Sequence, residues 1–181
     1  MLIFGLFMAM VVHARRRSFT MSFKTGKRLW EVYLITEDSG MEGDLNSARI
    51  ALKSFMIDLK NWEVDFYRKK MLAINDGGDV KVLDDEARMR LAEILEKWAV
   101  SDKANQGRLI DLGCSDPPTY DPESDVEEGA EIINKDAVIT VRQVTGLKTL
   151  SRFTLSNKEG AWKIKKKEYL NYKDKWQRSV L

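Results

Sequence analysis

The hydrophobic pattern of this chain changes period once, and that change limits what the chain can fold into. Leu52, Phe55, Met56, Leu59, Trp62 and Phe66, with Tyr67 beside them, recur at three- and four-residue steps, which lines them along one stripe of a helix. Beyond residue 129 the pattern becomes two-residue alternation in "AEIINKD", "AVITVRQV", "KTLSRFTL" and "AWKIKKKEYL", segments rich in β-branched and aromatic residues. The switch falls in "CSDPPTYDPESD", residues 114 to 125, which holds all three prolines and the single cysteine.

On the helical side, the stripe predicts a first helix over about Asn46 to Ala73, ended by Asn75-Asp76-Gly77-Gly78. Asp84 or Asp85 caps a second, Glu86 to Trp98, whose buried face reads Met89, Leu91, Ile94, Leu95 and Trp98. Ser101 opens a shorter third helix that reaches about Leu112, with Gly113 as its stop. On the strand side, Asn134-Lys135-Asp136, Thr145-Gly146 and Asn157-Lys158-Glu159-Gly160 are turn signals. They join four strands into an antiparallel meander. Strict alternation along the last strand sets Trp162, Ile164, Lys166 and Glu168 on one face and Lys163, Lys165, Lys167 and Tyr169 on the other, so the second face meets water or an acidic partner. By the same phases, Trp62, Trp98 and Trp162 belong to the core and Trp176 lies nearer the surface.

The expected fold class is therefore α+β: three N-terminal helices packed on a curved antiparallel four-stranded meander. A chain of 181 residues, 44% apolar, buries one sizeable core. Residues 1 to 44 read as an N-terminal extension, since 1 to 40 show no sustained apolar period. A loosely attached arm and translated upstream sequence, with Met21 and Met41 as alternative starts, are both open. Residues 45 to 181 form the domain.

The apolar run Met1 to Val12 is too short for a spanning helix, which needs about 20 residues, and no basic residue precedes it. Stable membrane insertion is not expected. A cytoplasmic location follows unless residues 1–14 act as a signal, which would place the protein in the periplasm or tether it to the membrane.

Composition excludes much catalytic chemistry. The one histidine is His13 and the one cysteine Cys114, so no disulfide framework, zinc site or histidine-based acid/base pair is available to the folded part, and no metal or cofactor is expected. Cys114 has no neighbouring base to make a thiolate. Asp58, Asp65, Tyr67 and Tyr169 are the residues an isomerase or dehydratase would use in a pocket between sheet and helices, but Asp58 and Asp65 lie on the polar side of the first helix.

Charge is unevenly spread. Residues 41 to 134 carry twelve Lys or Arg against twenty-one acids, and residues 135 to 181 carry twelve against four. Lys163, Lys165 and Lys167, with Tyr169 and Tyr172 nearby, interleave lysines and aromatics as a strand-based nucleic-acid surface does. A net charge of +2 gives no long-range drive toward nucleic acid. Lysines also keep an exposed sheet face soluble.

The order of elements, together with "NWEVDFYRKK", "LGCSDPPTYDPESD", "TGLKTLSRFTLSNKEGAWKIKKKEY" and "KWQRSVL", resembles the immunity proteins with the cone-shaped nuclear transport factor 2 fold, encoded in bacteria beside polymorphic toxins. The resemblance covers about Asn46 to Leu181. It implies a non-catalytic protein, monomer or homodimer, that binds and neutralises a cognate toxin domain encoded by a neighbouring gene. The alternatives are a small-molecule isomerase- or dehydratase-type enzyme of the same fold and a nucleic-acid-binding module. For the toxin reading, Asp116 to Glu131 holds seven acids and no base. Asp121, Glu123, Asp125, Glu127 and Glu128 are one candidate contact, suited to a basic toxin. Lys163, Lys165 and Lys167 are the other. The structural reading of the proline segment stays beside these: Pro117 and Pro118 stop a helix and favour an extended path, and Tyr120 lays its ring over the edge of the core with its hydroxyl in water.

Overall fold

The computed structural model describes residues 19–25, 28–34 and 38–181. The apolar run and His13 lie outside them. The chain divides into two compact units, Met1–Asp44 and Leu45–Leu181. In the first, β1 (Phe19–Thr25) pairs antiparallel with β2 (Arg28–Leu34), Thr25 facing Arg28 and Phe19 facing Leu34. Sequence reading assigned no element here, although Phe19, Met21 and Phe23 alternate with Thr20, Ser22 and Lys24 on one side of Gly26. That is a hairpin pattern.

The helix α1 spans Asp38–Asn75 and α2 spans Lys81–Trp98. Every member of the expected α1 stripe from Leu52 to Phe66 is buried. On α2 the buried residues are Ala87, Leu91 and Leu95, four apart, and Met89 is 63% exposed. Met89 is two residues from both Ala87 and Leu91, on the opposite side of the helix from that row, so it faces solvent instead of joining the buried face. The third helix shrinks to one turn, α3 (Arg108–Asp111). Leu112 ends it with φ 48° and ψ 40° while remaining buried. A leucine thus takes the left-handed cap that Gly113 was expected to supply.

Five strands form an antiparallel sheet in sequence order: β3 (Val126–Ile133), β4 (Asp136–Arg142), β5 (Leu150–Lys158), β6 (Ala161–Leu170) and β7 (Trp176–Ser179). The four expected strands are present, and β7 adds a fifth from the C-terminal "KWQRSVL" segment. Asn134 and Lys135, and likewise Glu159 and Gly160, have positive φ at both central positions of two-residue turns, the geometry that suits the twist of a hairpin. The inward residues Ala137, Ile139, Phe153, Leu155, Trp162 and Ile164 join the helical stripe in one buried cluster. Trp62 and Trp162 lie in it as expected. Trp98 only packs against it, because its indole N–H donates to Asp58 at 2.7 Å and holds one edge of the ring outward.

Candidate functional site

The proline segment is organised from beneath by a residue that sequence reading passed over. Glu63 lies on the buried stripe of α1, four residues after Leu59 and three before Phe66, and is fully buried. Its carboxylate accepts hydrogen bonds from the Ser115 N–H at 3.0 Å, the Thr119 N–H at 3.0 Å and both hydroxyls, at 3.1 and 3.0 Å. Arg108, itself almost buried, closes an ion pair with it at 2.8 Å. The same guanidinium donates to the Gly113 carbonyl and to Thr119 Oγ1, and lies 5.3 Å from the centre of the Trp62 ring. A buried carboxylate persists only when paired and hydrogen-bonded in this way. The signal was visible in the sequence as an acid inside an apolar stripe.

Beyond this anchor the loop is tied at each end. Tyr120 packs edge-on against Phe55, 5.7 Å between ring centres, and is buried with its hydroxyl enclosed instead of in water, because the ring lies within the core and not at its edge. Asp125 accepts from the Asp121 N–H and the Val144 N–H, so its carboxylate fastens the loop rather than facing a partner. Gln143 bridges the loop to the β4–β5 connection by donating to the Thr119 carbonyl and accepting from Thr149.

Most of the five candidate acids already have cationic partners. Asp121 accepts from Lys60 at 2.6 Å, and that bond holds its carboxyl below the usual aspartate value, with the Ser124 hydroxyl adding to the effect. Glu127 takes a two-pronged bond from Arg49 at 2.9 and 3.1 Å, and Glu128 pairs with Arg142. Glu123 is different. Its side chain is 85% exposed, and its cationic neighbour, Lys60, lies 3.6 Å away. The open acidic character of the segment therefore resides in Glu123 and in exposed Asp116 and Glu131.

The lysine face does not form as strict alternation predicted. Lys163 donates to the Glu96 carbonyl at 2.8 Å and Lys165 pairs with Asp136 at 2.9 Å. Lys167 is on the other side of the sheet, buried, with its ammonium 4.7 Å above the Tyr120 ring. The reason is a β-bulge. Leu155 faces Ile164 and Thr154 faces Lys166, so Lys165 is an extra residue without a partner on β5. After one extra residue the alternation reverses, and Lys167 and Tyr169 fall on the same face as Trp162 and Ile164. The bulge has its own supports: the Val100 N–H donates to the Ile164 carbonyl, and the Asn105 side-chain amide to the Ile164 and Lys165 carbonyls.

Two other candidate chemistries find little support. Burial pushes the Cys114 thiol up, away from the thiolate a nucleophile needs. Asp58 and Asp65 face outward, paired with Lys97 and with Lys69 and Arg90. Among the described residues no group of acidic, histidine and cysteine side chains is arranged to hold a metal ion, and no helix is long and apolar enough to cross a membrane.

Comparison with known proteins matches residues 47–180 to a family model described as NTF2 fold immunity protein. Immunity protein RhsIA of Dickeya dadantii (strain 3937) is 34% identical over 134 residues, covering 74% of this chain and 95% of that protein. No solved structure gives a significant match.

Proposed function

The chain belongs to the immunity proteins with the nuclear transport factor 2 fold, and from that premise we propose how it acts. It is a toxin-neutralising protein that protects its producer by binding a cognate toxin. We place that toxin in a polymorphic system, encoded beside this gene, and place the encounter in the cytoplasm, with a monomer or homodimer as the acting species. Neutralisation is by occlusion and requires no turnover. The supporting observation is the anchor under the loop: a fully buried carboxylate that fixes Ser115 and Thr119 makes the surface above it rigid before any partner arrives. A preformed surface avoids the ordering cost of binding.

On that surface the contact is expected around Glu123 and Asp116, because their charges are the least compensated. Asp121, Glu127 and Glu128 shape it through their ion pairs, and Asp125 through its backbone bonds. A cognate toxin domain expressed with and without this protein provides the test, survivors being counted and association measured at several ionic strengths. The double variant Glu123→Gln, Asp116→Asn should associate about tenfold more slowly at low salt with its fold unchanged. Unchanged kinetics would move the contact elsewhere. An equal loss on neutralising Lys163 and Lys165 would place it on the outer face of the sheet.

A further inference from the structure

Between the proline loop and the inner face of the sheet is a cavity of about 710 Å³, within the size range of small-molecule sites. Met56, Val141 and Phe153 line it with apolar surface, and Pro117 and Leu147 stand among its lining residues. Two polar groups at this surface lack polar partners among the described residues. Lys167 is 8% exposed, and among the described residues its ammonium has no hydrogen-bond or ion-pair partner, only the Tyr120 ring beneath it. Tyr120 is 4% exposed, and its hydroxyl is buried without a hydrogen-bond partner.

Burying an ammonium and a phenol while leaving both unpaired is costly. The same molecule shows the satisfied alternative in Arg108, equally buried but paired with Glu63. Ring contact offsets part of the cost for Lys167 and does nothing for the Tyr120 hydroxyl. The Lys167 ammonium faces this space, with the Tyr120 ring beneath it and the buried Ser151 beside it, while the Tyr120 hydroxyl is enclosed. One positive charge balances one negative charge. Asp125 also lines the cavity, with each carboxylate oxygen taken by a backbone N–H, and Asp116 is a further lining acid, so a doubly charged phosphate would be repelled more strongly than a single carboxylate.

We propose that this cavity binds one carboxylate borne on an apolar body, held by the Lys167 ammonium. The carboxylate belongs either to a free organic acid or to an acidic side chain of the toxin. The second source rests on the toxin-binding reading above, and the first does not.

Two measurements decide together. In the first, thermal unfolding of the full chain is followed with 4-phenylbutyrate and with its neutral amide, for the wild type, Lys167→Met and Tyr120→Phe. The carboxylate should raise the wild-type Tm by a few degrees near saturation. The amide should be silent, Lys167→Met unresponsive, and Tyr120→Phe, which keeps the ring under the ammonium and loses only the enclosed hydroxyl, as responsive as the wild type. In the second, toxin affinity is measured for the same proteins with and without the acid. A toxin-borne carboxylate predicts competition by 4-phenylbutyrate and at least about tenfold weaker binding to Lys167→Met. A free ligand predicts the thermal response with toxin affinity unchanged. Equal action of acid and amide overturns the site, as does a wild-type response in Lys167→Met. Silence of the acid also overturns it if toxin affinity ignores Lys167→Met or the wild type binds no toxin. The thermal experiment needs no toxin, so failure of the immunity reading registers separately, as a wild type without toxin affinity.

Discussion

Glu63 and Arg108 form a pair whose removal one partner at a time leaves a charge in the core. Glu63→Ala and Arg108→Ala should each cost about 3 to 5 kcal/mol in a denaturant titration, and the double variant should cost less than their sum. A loss below 1 kcal/mol in either single variant would mean that water reaches the site. Asp121 offers a subtler test. Its carboxyl is held low by Lys60, so its contribution is present above the unfolded aspartate value and is lost as the pH falls through the lower folded one. Asp121→Asn should therefore reduce stability by about 1 kcal/mol at neutral pH, with the difference closing below about pH 4. At this scale the sequence told residue type but not partnership. The acidic run could be read, whereas Arg49, Lys60 and Arg142, which face its members, come from elements 14 to 78 positions away. No local pattern brings them together.

At the level of elements, periodicity carried most of the reading where one face alone is buried, and the α1 stripe is its best case. It failed at Met89, which stands opposite the row of Ala87, Leu91 and Leu95, and at Trp98, where a polar bond substituted for burial. That contrast is measurable: Trp62, in the core with its N–H bonded to the Ala87 carbonyl, should cost about 3 to 5 kcal/mol on change to Ala. Trp98→Ala should cost clearly less. Equal losses would return Trp98 to the core. The third helix illustrates a different limit. Asn105, fully buried in the turns before α3, uses its side-chain amide on the Val100, Ile164 and Lys165 carbonyls and accepts from Arg178. A segment committed to such bonds does not need helical ones. Asn105→Ala should destabilise by about 1 to 3 kcal/mol through the carbonyls it abandons, and an unchanged unfolding curve would show them rehydrated.

For the molecule as a whole, the core residues named above all lie between Ala48 and Leu181, and residues 45 to 181 are proposed as the self-sufficient domain. A chain beginning at Met41 should melt within a few degrees of the full one, and a drop of more than about 10 °C, beyond 1 to 2 kcal/mol for a domain of this size, would assign the N-terminal unit a structural part. Net charge and its division were legible from the start, yet the compensation inside the acidic segment leaves fewer open charges than the count suggested. The strand that misled the sequence reading most is also the one whose error is easiest to exploit. Residues 165 to 167 are three lysines in a row, so losing any one yields the same sequence, and Ile164 and Tyr169 would then stand an even number of positions apart. A one-residue deletion in a strand ordinarily turns everything beyond it inside out. Here parity is restored instead: the ladder becomes regular, one lysine still points inward, and the chain is one residue shorter with its interior unchanged.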